Sequence, residues 1–187
     1  APVVESTGTG AGVKLFCGGV GAKFADIVDA SRQLKKSEYD ACAANGVTSI
    51  IEIQIGVDGL VLAESRKAAP IALTKAQVYK ALAAKPFGKD QTATLWSDID
   101  PSLPAVKIQV YGPPPTSGTR DSLTELILTP GCETDPAMKA LKDSDEDRHK
   151  DICTRIREDG AFIEAGENDN LIVQKIEANP GALGAFG

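Results

Sequence analysis

The stretch at residues 111–122 constrains the fold more than any other, because it joins a predicted strand to a predicted helix through a stiff polar corner. Prolines occupy positions 113–115; each fixes φ and none donates a backbone N–H. Gly118 then allows the backbone to approach its surroundings closely. Hydroxyls and one guanidinium flank it, on Thr116, Ser117, Thr119 and Arg120. With the bare N–H groups of a helix start they predict a site for a small oxyanion, although an ordinary N-cap at Thr116 or Ser117 explains the same residues.

A second glycine- and hydroxyl-rich segment, residues 5–16, has the same character. It lies between a predicted strand at 2–6 and a predicted helix at 13–18, so it again places unpaired amides at a helix start. Its glycine spacing does not match the dinucleotide-binding fingerprint, and no Gly-Lys-Ser/Thr follows as a nucleotide phosphate loop requires. Two such helix starts favour one small anion, held from both sides, over a nucleotide.

Composition limits the classes of function. The chain has 187 residues, of which 42% are hydrophobic, enough to bury a core in one large or two small domains. Its net charge of −6 and the lack of a basic stripe argue against nucleic-acid binding, whereas local amides can still hold an anion. No apolar run approaches the roughly 20 residues of a transmembrane helix. No signal peptide is visible at Ala1, which fits a processed chain or a cloned fragment.

The four cysteines fall into two neighbouring pairs. This arrangement predicts the disulfides Cys17–Cys42 and Cys132–Cys153, one of three connectivities, and hence an oxidising compartment such as a bacterial periplasm. Four buried thiols in a cytosolic protein are the alternative. Because the chain lacks a Cys-x-x-Cys pair and has His149 as its only histidine, we expect no zinc or other metal centre.

Apolar runs alternate with helical patterns along the chain, which predicts an α/β fold. Glycines on both sides of Asp58 indicate a crossover between domains. The predicted strands are 24–30, 48–54, 60–63, 105–111, 162–164 and an apolar strand near the C-terminus. The predicted helices are 37–45 with Ser37 as N-cap, one beginning at Thr74, 123–128 ended by Thr129-Pro130-Gly131, 151–159 and 171–178.

Ser31 and Arg32 follow the predicted strand at 24–30. Open α/β sheets bind ligands at the carboxyl ends of their strands. The planar fork of an arginine matches two oxygens of one anion, so Arg32 is a candidate ligand. The alternative is a surface arginine beside Lys35 and Lys36.

Five segments, in chain order, resemble the periplasmic phosphate-binding proteins of bacterial phosphate ABC transporters, which are type II periplasmic binding proteins. The segments are 6–14, 29–32, 56–63, 116–121 and 179–184. The resemblance implies a two-lobed α/β fold with phosphate in the cleft between lobes joined by crossover strands. It assigns residues 1–59 to a partial lobe I, 60–180 to a nearly complete lobe II and 181–187 to a return crossover strand toward lobe I. The family's first and last elements have no counterpart here, so we expect a chain truncated at both ends.

The resemblance also implies a set of phosphate ligands. Position by position these are Thr9, Gly10, Ser31, Arg32, Ser117, Gly118, Thr119, Arg120 and Asp121. Family members often place an arginine and an aspartate where this chain has Pro113 and Pro115, and some carry an aspartate where it has Arg32. Asp121 is therefore assigned to accept the proton of hydrogen phosphate. A carboxylate in that role discriminates against sulfate, which has no proton to offer.

The predicted function is capture of inorganic phosphate in the periplasm for an inner-membrane ABC permease, by a monomer without cofactor, metal or catalytic residues. One alternative keeps the fold and changes the ligand to sulfate, molybdate or another anion. A second is an enzyme acting on a phosphorylated metabolite, with Ser117 as nucleophile. It lacks a credible base, since His149 lies in a densely charged run, and no Gly-x-Ser-x-Gly elbow is present. A third is a scaffold whose loops merely cap helices.

Overall fold

Four short strands form one sheet in the computed structural model, which describes residues 9–166 and 168–187. They are β1 (Val61–Glu64), β2 (Val110–Gly112), β3 (Phe162–Glu164) and β4 (Leu183–Phe186), in the spatial order β1-β4-β2-β3. β2 runs parallel to both β3 and β4, whereas β1 and β4 are antiparallel. These strands lie at or within the predicted ones at 60–63, 105–111, 162–164 and the C-terminus, give or take one residue. The predicted α/β class is confirmed.

Nine α-helices accompany the sheet in the described part of the chain. They are α1 (Thr9–Phe16), α2 (Lys36–Ala44), α3 (Lys75–Leu82), α4 (Trp96–Ile99), α5 (Gly118–Leu123), α6 (Thr129–Cys132), α7 (Pro136–Ser144), α8 (Glu146–Thr154) and α9 (Asp169–Ala178). α3 begins where the sequence predicts: the Thr74 hydroxyl accepts from Gln77 N, and the Gln77 side chain accepts from Thr74 N. None of the described helices combines the length and apolar character needed to cross a membrane.

The helix that begins after the proline-rich corner is longer than the sequence predicts. A π-helical turn (Thr124–Leu128) joins α5 directly to α6, so the predicted stop at Thr129-Pro130-Gly131 is wrong. Proline lacks an N–H and its ring crowds the preceding turn of an α-helix. Thr129 N donates to Thr124 O, five residues back, and this wider turn accommodates Pro130.

Most of the buried apolar side chains of the described residues fall into two separate clusters. The larger core packs sheet residues against α3, α5, α6 and α8, and includes the fully buried Tyr79 and Trp96. The smaller core consists of Val13, Cys17 and Cys42, bordered by partly buried apolar residues between positions 16 and 50. Trp96 is therefore a packing anchor of the larger core.

Both predicted disulfides are present. Cys17–Cys42 ties the segment after α1 to α2 and lies in the smaller core. Cys132–Cys153 ties α6 to α8 and lies in the larger core. Each cluster of buried side chains therefore contains one covalent cross-link.

Two predicted strands do not form in the described residues. Segments 24–30 and 48–54 adopt neither strand nor helix. Ile27, Ile51 and Ile53 are exposed rather than buried. β-branched runs form strands only where a neighbouring strand supplies hydrogen bonds and packing, and no described strand pairs with either run. The predicted strand at 2–6 lies outside the described residues.

Candidate functional site

The proline-rich corner leads from the end of β2 to the start of α5. Its backbone turns tightly, since Ser117 N donates to Pro114 O at 3.0 Å. Ser117 is buried, and its hydroxyl accepts from Thr119 N at 3.2 Å as the N-cap of α5. The corner lies at the carboxyl end of a strand with parallel neighbours, which is where open α/β sheets bind ligands.

The start of α1 carries a second group of hydroxyls. Thr9, the first residue of α1, is buried. Its Oγ1 lies 3.0 Å from Ser31 Oγ and accepts a hydrogen bond from Ser31 N at 3.1 Å. Ser31 is thus held at the helix start by these two hydrogen bonds, although the segment before it is not the strand that the sequence predicts.

The two helix starts meet at Gly118. A Cβ atom there would overlap Ser31 Oγ and would lie 2.7 Å from Thr9 Oγ1, so the absent side chain lets these residues touch. We call Thr9, Ser31, Ser117 and Gly118 the hydroxyl corner. It combines two buried hydroxyls and one exposed hydroxyl with the first-turn N–H groups of two helices. Such donors suit a tetrahedral oxyanion, and the exposure of Ser31 leaves the corner open to solvent.

Arg32 connects the hydroxyl corner to α2 and α5. Its Nη1 and Nη2 donate to the two carboxylate oxygens of Glu38 at 2.9 and 2.8 Å, and its Nε donates to Asp121 Oδ2 at 3.4 Å. The hydrogen bonds to Glu38 raise the pKa of Arg32, and the same bonds lower the pKa of Glu38. With its side chain 12% exposed, Arg32 is not the solvated surface arginine of the alternative interpretation.

Glu38 is the residue of this network that sequence reasoning missed. Lys35 is the N-cap residue of α2, and Glu38 accepts from its backbone N–H at 2.9 Å. A glutamate three residues after the N-cap is a recognised capping signal. The sequence predicts Ser37 as the N-cap instead. In that register Glu38 would be the first helical residue, so it would not be recognised as part of a capping motif.

Arg120 makes its contacts with the ends of β2 and β3 instead. Its Nη1 donates to Pro113 O at 3.1 Å, and its guanidinium carbon lies 4.3 Å from the centre of the Phe162 ring. Burial lowers the pKa of Arg120. Hydrogen bonds, an ion pair and the close approach at Gly118 bring together most of the other predicted residues: Thr9, Ser31, Arg32, Ser117, Gly118, Thr119 and Asp121. Gly10 lies near the guanidinium, since a Cβ atom there would be 4.0 Å from Arg32 Nη2.

Two other features lie apart from the hydroxyl corner. His149 is buried in α8, 3.3 Å from a carboxylate oxygen of Glu133, and so sits beside the residues of the Cys132–Cys153 disulfide. A cavity of 260 Å³ is lined by Glu64, Trp96 and Leu183 among others, none of which belongs to the hydroxyl corner or to the Arg32 network. The chemistry of the donors, rather than the volume of a cavity, therefore identifies the candidate site.

A protein family and several individual proteins are similar to this chain. Residues 1–187 match the model of a PBP superfamily domain. Protein SphX of Synechococcus elongatus is 31% identical over 186 residues, which cover 98% of this chain and 44% of that protein. The phosphate-binding protein PstS of Staphylococcus saprophyticus is 26% identical over 183 residues, which cover 97% of this chain and 45% of that protein.

One solved structure is also similar, that of a possible phosphate binding protein from Planctomyces limnophilus. It has a TM-score of 0.53 and 28% identity, and the match covers 97% of this chain and 52% of that one. The chain spans about half the length of the relatives that it matches.

Proposed function

This chain belongs to the PBP superfamily, and from that premise we propose that it binds inorganic phosphate and delivers it to an ABC importer. The observation that carries the proposal is the meeting of Thr9, Ser31 and Gly118 at the starts of two helices. A tetrahedral anion accepts hydrogen bonds from several directions, as this arrangement offers. The phosphate-binding name of the Staphylococcus relative supports phosphate as the anion.

The proposed ligands are the hydroxyl corner, Gly10, Thr119 and Arg32. Asp121 is proposed to accept the proton of hydrogen phosphate, because its carboxylate lies beside Arg32 and the start of α5. Arg120 contributes only at longer range, since its guanidinium packs on Phe162. We propose that the chain binds its ligand without catalysis. We also place it in an oxidising compartment such as the periplasm, because disulfides form and persist there.

The division into a partial lobe I (1–59), a lobe II (60–180) and a return strand (181–187) is part of the same proposal. The two separate cores support it, because the smaller one draws its residues from 13–50 and the larger one from 60–185. The permease of the importer is the proposed partner.

Calorimetric titration with phosphate, sulfate and molybdate tests this function. We expect saturable heat with phosphate, with a micromolar or tighter Kd, and little heat with sulfate. Equal affinities for phosphate and sulfate would contradict the proton-accepting role of Asp121. Binding of molybdate or sulfate without binding of phosphate would replace the proposed ligand.

The variant Gly118→Ala connects the measured heat to the hydroxyl corner. Its Cβ atom would overlap Ser31 Oγ, so we expect phosphate affinity to fall by about ten-fold or more. Gly56→Ala is the matched control, because a Cβ atom at Gly56 meets no atom within 4 Å. Unchanged affinity in a folded Gly118→Ala variant would remove the hydroxyl corner from the site.

A further inference from the structure

The hydroxyl corner is assembled from two parts of the chain whose buried clusters, within residues 9–166 and 168–187, share no residue. Thr9 and Ser31 come from the N-terminal part, residues 9–59, which contains the whole smaller core. Ser117 and Gly118 come from the C-terminal part, from residue 60 onward, which contains the whole larger core. Because the clusters of described buried residues do not span the two parts, polar contacts between described residues carry more of their association.

Two ion pairs join these parts. Among the hydrogen bonds and salt bridges of residues 9–166 and 168–187, the links between the parts are Arg32–Asp121 at 3.4 Å and Lys35–Glu125 at 2.7 Å. Asp121 and Glu125 are four residues apart on one continuous helix, and so lie on the same side of it. We call these four residues the ion-pair row. It begins beside the hydroxyl corner and extends away from it.

We propose that Lys35 and Glu125 are positioning residues that set anion affinity by holding the two parts together, an inference that rests on the proposed function. An anion that binds Thr9, Ser31 and the start of α5 contacts both parts at once. If the parts separate in a fraction of anion-free molecules, any contact between them raises the fraction that is ready to bind. Lys35 is not one of the proposed ligands, because its ammonium is paired with Glu125.

Charge reversals tested by titration with inorganic phosphate provide the experiment. We expect Lys35→Glu and Glu125→Lys each to weaken phosphate binding by about two- to five-fold, the range of a surface ion pair. The double variant re-forms the pair with opposite polarity, and should bind within about two-fold of the unmodified chain. These differences should shrink as the salt concentration rises, because the pair is exposed.

Two features separate this role from a general effect of charge. Glu125→Lys makes the protein less acidic, so long-range attraction alone would tighten anion binding, whereas loss of the pair weakens it. Lys36→Glu makes the same change of charge as Lys35→Glu at the next residue, but Lys36 pairs with Asp40 inside α2. Tighter binding by Glu125→Lys, or an equal loss in Lys36→Glu and Lys35→Glu, would overturn the proposal.

Urea unfolding in the absence of anion tests the ion pair independently of phosphate binding. If the unmodified chain does not bind phosphate, the affinity role falls with that function, while a double-mutant cycle still tests the ion pair itself. Strictly additive effects of the two reversals on unfolding would show that the pair contributes nothing. Coupling in unfolding without any change in phosphate affinity would make the pair purely structural and would overturn the positioning role.

Discussion

Arg32 shows how the partners of one residue determine what it can offer a ligand. A guanidinium has five N–H donors. Nε donates to Asp121, one donor on each terminal nitrogen goes to Glu38, and Nη1 also donates to the carbonyl of Gln33 at 3.1 Å. Among the described residues this leaves one N–H without an acceptor, on Nη2, the nitrogen that would lie 4.0 Å from a Cβ atom at Gly10. Within the described part of the chain, Arg32 therefore presents one charged donor near the start of α1, in an orientation that Glu38 fixes.

This pairing predicts a pH-dependent contribution to stability from Glu38. Its pKa is lowered in the folded chain from an ordinary value of 4.5, mainly by the hydrogen bonds from Arg32. The contribution is therefore complete above the unfolded pKa and is lost as the pH falls through the folded pKa. We expect Glu38→Gln to lower the free energy of unfolding by about 1 kcal/mol at neutral pH, and by progressively less below pH 4.5.

Urea unfolding of both proteins across this pH range checks the expectation. Glu52→Gln serves as the control, because Glu52 is exposed and lies in the segment without secondary structure. A destabilisation by Glu38→Gln that is the same at acidic and neutral pH would mean that side-chain packing, rather than charge, accounts for the effect.

The individual residues of the site differ in how far sequence could predict them. Thr9, Ser117 and Gly118 belong to local motifs, since hydroxyls and glycine at a helix start carry their own geometric signal. The partners of long side chains have no such signal, because tertiary packing decides where a guanidinium points. Arg32 turns to Glu38 and Asp121, whereas Arg120 lies over Phe162.

At the scale of secondary-structure elements, the two disulfides close chain loops of similar length but lie in cores of very different size. They join residues separated by 25 and 21 positions, so chain entropy assigns about 3 kcal/mol to each. Cys17–Cys42 supplies two of the three buried residues of the smaller core. Cys132–Cys153 lies among many other buried side chains.

We therefore expect the paired serine substitutions to have different consequences. Replacing Cys17 and Cys42 should unfold α1 and α2 and make the first 50 or so residues sensitive to protease, because little apolar burial remains there. Replacing Cys132 and Cys153 should lower the thermal unfolding temperature without local unfolding. Limited proteolysis with mass analysis distinguishes the two outcomes, and equal protection of α1 and α2 in both variants would contradict the expectation.

Elements were predictable where the local sequence alone determines them. Thr74 with Gln77 specifies the start of α3, and the strand at 162–164 and the helix at 171–178 correspond closely to β3 and α9. Two of the errors arise where a distant partner decides, and a third lies in the geometry of a single helical turn. Segments 24–30 and 48–54 have the composition of strands but have no paired strand in the described residues, and Pro130 is accommodated by the π-helical turn before it.

At the scale of the whole molecule, the exposed apolar residues after α2 are the main departure from an ordinary soluble surface. Ile51, Ile53, Ile55 and Val57 alternate along an extended segment and are 75–94% exposed. Residues at alternate positions of an extended chain point to the same side. Soluble monomers rarely expose a continuous apolar patch of this kind.

This patch predicts that the chain associates with itself as its concentration rises. An extended apolar segment that pairs with none of the described strands is a template for strand pairing between molecules. The sequence-based expectation of a monomer then holds only in dilute solution.

Sedimentation velocity tests this prediction. It should show larger species at high concentration, and fewer of them in the variant Ile53→Lys. Leu171→Lys, which adds the same charge at an exposed residue of α9, should associate like the unmodified chain. Equal suppression of association by both variants would show that net charge, rather than the isoleucine patch, controls it.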